Sequence, residues 1–189
     1  MDINSEIKYF EQKGPKNTDV ALKLGKERAE ALGIEDVVVA SFTGNTGVKA
    51  SQLFRASNLV VVAGVVGFTE PNKSSMIEEN KSKIEAKGGK VLFGGHAFGM
   101  LGRAINKQFG AIQIDEVIAN VLRLLSPGVK VGCEIACMAV DAGLIMAGKE
   151  VMTVAGSGRG ADSVTILRAS NTHTFFDTRI LEIICKPRG

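Results

Sequence analysis

Two loops in this sequence carry the residue types that hold an anion. The first, Ser41-Phe42-Thr43-Gly44-Asn45-Thr46-Gly47, sets hydroxyl side chains and two glycines directly before a helical pattern. A helix N-terminus exposes unbonded N–H groups at the positive end of the helix dipole, and hydroxyls add donors without adding charge. Gly44 and Gly47 would let a ligand approach the backbone. The chemistry implied is a phosphate cradle; the competing reading is a turn that merely caps its own helix. The second loop is Gly156-Ser157-Gly158-Arg159-Gly160-Ala161-Asp162. It offers backbone donors and a guanidinium whose planar fork suits phosphate. Alone, it would read as a hairpin tip with a solvated arginine.

Neither loop fits a standard nucleotide fingerprint. The second has glycines in a dinucleotide-like spacing, but a strand follows it where that motif requires a helix. The first lacks the lysine of an ATP-hydrolysing phosphate loop. Two further loops, Gly67-Phe68-Thr69-Glu70 and Gly94-Gly95-His96-Ala97-Phe98, follow apolar runs. Phe68 or Phe98 could stack on a flat ring and His96 could hydrogen-bond to one, or all three could simply pack their loops. Glu134 and Asp141 interrupt an apolar helix on one face. They read as an acid/base pair beside a cleft, or as groups that reach solvent or pair with a base. Cys133 and Cys137 read as small core residues, His173 as structural, and no residue set has the spacing of a metal site. No nucleophile–histidine–carboxylate set can be assembled, so catalytic residues remain unassigned.

The elements that position these loops follow from periodicity. Apolar, β-branched runs at 36–41, 57–65 and 90–95 have the pattern of buried parallel strands. Segments 149–156 and 163–170 predict two more strands around the second loop. The tail from Thr172 predicts an added edge strand, and Glu6–Gly14 another. Helical patterns cover 16–33, with Asn17 and Thr18 as caps and Gly33 as the stop, and 74–89, stopped by Gly88 and Gly89. Further helical patterns cover 99–110, 114–128 and 131–148, the second capped by Asp115. Strand–helix alternation without repeat or linker predicts one α/β domain over 1–189, a three-layer sandwich on a mostly parallel sheet. In such sheets ligands sit beyond the carboxyl ends of the strands, where strand order reverses.

Composition narrows the partners. Glycine supplies 22 of 189 residues, well above the roughly 7 % of ordinary chains, and half of them lie at or just beyond the carboxyl ends of four predicted strands, in and beside the loops just named. The formal charge is +3, with 23 basic and 20 acidic residues. That balance is too even to imply nucleic acid. No apolar run is long enough for a membrane span and no leader pattern opens the chain. Three cysteines, an odd number, point to a reducing cytoplasm. The expected partner is a small phosphorylated ligand, with neither nucleic acid nor membrane; a homo-oligomer is compatible with all of this.

The stretch 36–64, "DVVVASFTGNTGVKASQLFRASNLVVVAG", resembles the opening of the C-terminal α/β domain of pyruvate kinase. Residues 150–168, "EVMTVAGSGRGADSVTILR", are similar to the last hairpin of that domain, whose Gly/Arg-rich loop closes over a phosphorylated effector. Pyruvate kinase's catalytic work belongs to a separate barrel for which 189 residues leave no room, and 97–132 is more helical than that domain requires. The chain therefore looks like the stand-alone, largely archaeal proteins of the pyruvate kinase α/β-domain-like group, and not like a pyruvate kinase. The resemblance implies a five-stranded sheet in the order 3-2-1-4-5 with the last strand antiparallel. It also implies a phosphorylated ligand, flavin mononucleotide (FMN) being the one suggested. Ser41, Phe42, Thr43, Gly44, Asn45, Thr46 and Gly47 would face Gly156, Ser157, Gly158, Arg159, Gly160 and Asp162 across the phosphate. Gly67, Phe68, Gly94, Gly95 and His96 would border the ring. The alternatives are a non-enzymatic module that senses a sugar phosphate, and an FMN-dependent oxidoreductase.

Overall fold

A computed structural model describes residues 4–189. Seven strands form one mixed, mostly parallel sheet: β1 (Lys8–Phe10), β2 (Asp36–Ala40), β3 (Asn58–Val62), β4 (Lys90–Leu92), β5 (Glu150–Ala155), β6 (Ser163–Arg168) and β7 (Arg179–Pro187). Their order across the sheet is β1-β7-β6-β5-β2-β3-β4. The five-stranded sheet implied by the resemblance is thus short by two, the tail and N-terminal strands that the sequence pattern offers as edges. The tail strand β7 is interior and not an edge: it pairs antiparallel with β6 and parallel with β1, which forms the actual edge. Such a short edge strand limits the open backbone presented for stray pairing.

The valine runs are buried because both sheet faces are covered, and successive side chains point to opposite faces. Val37, Val39, Val61 and Val154 pack under α1 (Thr18–Leu32), α2 (Asn45–Leu53) and α3 (Glu78–Glu85). Val38, Val60, Val62 and Val151 pack under α6 (Pro127–Asp141), which α5 (Ile114–Arg123) partly covers. A further helix, α4 (Met100–Phe109), leads into α5.

The helix boundaries differ from the sequence reading where caps compete. Gln113, not Asp115, caps α5, and it shares a reciprocal capping box with Glu116. Helix α6 starts four residues earlier than expected. Ser126 accepts the Val129 N–H and Pro127 occupies the first turn, where its missing N–H costs nothing. From Gly128 to Val140 every α6 residue but Val131 is buried. Gly132 is what lets it lie so close, since a Cβ there would sit 2.5 Å from Thr153 Oγ1.

At the centre of the sheet β2 lies between β3 and β5, parallel to both, with Val39 opposite Val154. The loops that follow β2 and β5 therefore leave side by side from one edge. Strand order diverges there, the place where open α/β sheets hold ligands.

Candidate functional site

The β2 loop is sorted by its hydrogen bonds into structural and available groups. Ser41 is buried, and its Oγ accepts the Gly47 N–H at 3.0 Å, capping α2. Thr43 O accepts from the Ile77 N–H and from Asn80 Nδ2, which also donates to Asn45 Oδ1 at 2.9 Å. A Cβ on Gly44 would lie 2.6 Å from Asn80 Cβ, and one on Gly47 would lie 2.7 Å from Val61. These two glycines therefore admit the protein's own α3 and β3; ligand approach is not what requires them. The hydroxyls of Thr43 and Thr46 make no hydrogen bond to the described residues. The same holds for the N–H groups of Asn45 and Thr46, which begin the helix.

The β5–β6 loop divides the same way. Asp162 is fully buried, and its carboxylate accepts from the N–H groups of Gly14 (2.9 Å) and Ser157 (3.3 Å) and from the hydroxyls of Ser157 and Ser163. Ala161 N–H donates to Thr18 Oγ1 at 2.9 Å. Gly160 has φ +71°, and any Cβ there would collide with Pro15. Gly156 similarly abuts the Gly160 carbonyl. The loop is thus tied to the residues before α1, a contact no local pattern shows. Arg159 is exposed and forms no ion pair or hydrogen bond among the described residues, while Gly158 beside it has open space.

Three successive loops meet through their rings. Phe42, after β2, stands edge-on to Phe68, after β3, with centroids 6.1 Å apart. Phe68 lies 5.1 Å from His96, after β4, and Arg103 of α4 sits over Phe68 at 5.3 Å. Gly64 sits beneath, its Cβ position 3.3 Å from Phe42 and 3.4 Å from His96 Nε2. Phe42 and Phe68 are still about two-fifths exposed. Gly67 shapes the β3 loop, donating to Lys73 O with φ +85°. Gly94 and Gly95 line a cleft of about 280 Å³ with Leu92, Met138 and Asp141. Phe98 does not join the rings; it is buried against Phe175 at 4.8 Å.

Behind these rings α6 carries a buried ion pair. Lys130 Nζ stands 2.5 Å from Glu134 Oε2, with both side chains only about one-twentieth exposed. Glu134 Oε1 accepts the Phe98 N–H at 3.1 Å, which links the helix to the β4 loop. Burial lowers the Lys130 pKa, against the raising influence of Glu134. Burial also lowers the His96 pKa; Glu134 opposes this, and Lys130 and Arg103 add to it. Of the two acids singled out in α6, Glu134 thus pairs with a base. Asp141 instead accepts from Asn171 and Thr172, holding the turn after β6. Cys133 and Cys137 are buried and free, their thiols pushed up by burial to about 12 and about 11. Lys130 and Arg103 escaped the sequence reading. The Lys-x-x-x-Glu spacing inside an apolar helix was the signal for the first, and nothing local marks the second.

No protein-family model matches the chain. Among solved structures the chain is similar to O-ureido-L-serine synthase at 22% identity and TM-score 0.31, over 50% of this chain and 30% of that one. A mutant of that synthase with O-ureido-L-serine bound aligns at 16% identity and TM-score 0.31, over 72% of this chain and 49% of that one. The chain spans less than half the length of either, and overlaps of this quality carry no argument about its site.

Proposed function

We propose that this chain binds a phosphorylated mononucleotide, FMN foremost, across the sheet edge where β2 and β5 meet. One observation carries the reading. Along that edge a set of phosphate-type donors has no hydrogen-bond partner among the described residues: the Thr43 and Thr46 hydroxyls, the first amides of α2, and the Arg159 guanidinium. Hydroxyls, a helix N-terminus and a guanidinium are the donor chemistry a phosphate monoester takes. Phe42, Phe68 and His96, from the adjoining loops, offer aromatic faces to a flat ring. The donor set and rings fit FMN, which when bound would supply redox chemistry. The chain's residues would bind the phosphate and orient the ring. The likeness of both loops, in order, to the pyruvate kinase C-terminal domain supports the same reading. Three free, buried cysteines accord with a cytoplasmic setting.

A second reading is favoured by the rings themselves. Phe42, Phe68 and His96 already pack on one another, as they would in a module that needs only the phosphate half and senses a sugar phosphate.

The test is direct. Purified protein is denatured and the supernatant examined for a flavin spectrum. Ligand-free protein is then heated with FMN, riboflavin and sugar phosphates. FMN at a hundredfold excess over its dissociation constant should stabilise the fold by about 2.7 kcal/mol, and riboflavin, lacking the phosphate, by much less. Absence of both released flavin and any shift with FMN overturns the flavin reading; a shift with sugar phosphates alone favours the sensor.

A further inference from the structure

One charge beside the rings is left unanswered. Arg103 is exposed, its guanidinium 5.3 Å over Phe68, and it makes no ion pair or hydrogen bond among the described residues. The acidic groups of the adjoining elements are committed elsewhere. Glu116 accepts from Asn106 and the Gln113 N–H, Glu70 pairs with Lys73 at 2.6 Å, and Glu134 is held by Lys130 and the Phe98 N–H. Asp115 is turned onto Gly99 and Gly102. His96 touches the same Phe68 ring, with 5.1 Å between centroids, and is half-buried. Its nitrogens bond to none of the described residues, and no buried side-chain nitrogen or oxygen among those residues lacks a partner. Both nitrogens therefore reach the surface, free to bond a ligand. The loop that carries His96 also lines a cleft of about 280 Å³. Leu92, Phe93 and Met138 make it largely apolar, and Asp141 is its one charged side chain.

We propose that Arg103 and His96 receive the carboxylate of a small monocarboxylic acid whose apolar body enters this cleft. The inference rests on the reading above, in which a flat ring lies against Phe42, Phe68 and His96; the acid is the second molecule brought to that ring. The residue chemistry selects the ligand class. A guanidinium's fork of N–H donors matches the two oxygens of a carboxylate, and an imidazole N–H supplies a further donor. Lys130 and Glu134 cancel one another behind the ring cluster, so the charge of Arg103 stands unopposed and favours an anion. Asp141 sets a limit on that anion, because the second charge of a dicarboxylate would meet a like charge in the cleft. The phosphate is held apart. Thr43, Thr46 and Arg159 belong to the loops after β2 and β5, whereas His96 follows β4, on the far side of β3.

Proton NMR of the full chain tests this, because His96 and His173 are its two histidines. Protein without and with FMN is titrated with sodium butyrate at constant ionic strength, beside butyramide, succinate and inorganic phosphate. Butyrate should move the His96 ring signals to saturation and leave those of His173 in place. It should also raise the His96 titration midpoint, because a bound anion favours the imidazolium. The charges acting on His96 beforehand are Glu134 and Lys130 of α6 and Arg103 of α4, so the titration is repeated on Arg103→Gln. That variant should bind butyrate roughly 10-fold or more weakly, the worth of one charge-assisted contact, with an unchanged far-UV circular dichroism spectrum. Butyramide should leave His96 unmoved, and succinate should bind more weakly than butyrate. His96 signals that ignore butyrate in both forms of the protein overturn the proposal, as does a butyrate affinity indifferent to Arg103→Gln. Tighter binding of inorganic phosphate at His96 overturns the carboxylate assignment. Butyrate binding by protein that takes no FMN keeps this site and removes the flavin reading alone; FMN binding without butyrate does the reverse.

Discussion

Lys130 and Glu134 form an ion pair one helical turn apart, inside the layer that covers the sheet. Glu134 also accepts the Phe98 N–H, so a single carboxylate ties α6 to the loop that carries His96. Removing one partner of a buried pair leaves the other charge uncompensated. Glu134→Ala should lower the free energy of unfolding by roughly 3–5 kcal/mol, measured by urea denaturation. The apolar double variant Lys130→Met/Glu134→Leu should recover most of that loss. A double variant as unstable as the single one would show that the pair itself, not the orphaned charge, is what matters.

Acid should act on the same region through His96. Its pKa lies below the ordinary value of about 6.5, chiefly because burial disfavours the imidazolium. A basic group with a depressed folded pKa contributes stability that is complete above the unfolded pKa. That stability is lost as the pH falls through the folded one. The wild-type urea midpoint should thus decline as the pH drops below about 6.5, and His96→Gln should flatten that segment of the curve. A proton NMR titration that places the His96 midpoint above the ordinary value would refute the sign.

Arg159 and Thr46 separate binding from folding, because neither side chain bonds to the rest of the described protein. Arg159→Ala should leave the melting temperature of the ligand-free protein within error. It should weaken FMN, or any phosphate ligand, by roughly 10- to 150-fold, the worth of one charge-assisted contact. Thr46→Val, which keeps the shape and removes the hydroxyl, should act in the same direction with a smaller effect. Isothermal titration of the two variants measures both. Equal affinities for wild type and Arg159→Ala would remove the phosphate from this edge.

Asp162 should behave in the opposite way. Its carboxylate joins Gly14 to Ser157 from a fully buried position. Asp162→Ala strands several donors and should cost roughly 3 kcal/mol, with new protease sensitivity in the 156–160 loop and near Gly14. Limited proteolysis followed by mass spectrometry reads this out. Cleavage confined to the loop would mean that the N-terminal segment is held by other contacts.

Much of the architecture could be read from local pattern. The valine runs at 37–39 and 60–62 are β-branched and apolar on both faces, and that combination belongs to a covered parallel strand. The glycine-rich loops after them are legible as a candidate ligand edge, because open α/β sheets hold ligands beyond the carboxyl ends of their strands. The place of the first and last strands shows the limit. Segments 8–10 and 179–187 pair with each other across nearly the whole chain, and 179–187 also pairs with β6; no periodicity records which neighbour a strand will choose. Asp115 was a plausible cap for α5 by type, but Gln113 and Glu116 satisfied two donors reciprocally, and the better-bonded end prevailed.

The candidate site divides along the same line. By itself the sequence determined which residue types stand at the carboxyl edge: hydroxyls and glycines after β2, and an arginine among glycines after β5. Those are choices of local chemistry. Only the tertiary structure decided which of them remain available. Asn80 binds Asn45 from 35 residues away, and Gly14 binds Asp162 from 148. Those long-range partners turn half of the apparent cradle into scaffold and leave Thr43 and Arg159 exposed, and the buried Thr46 hydroxyl without a partner among the described residues. A polar group's capacity to hold a ligand depends on whether another part of the fold has already satisfied it. That is a property of the folded chain as a whole.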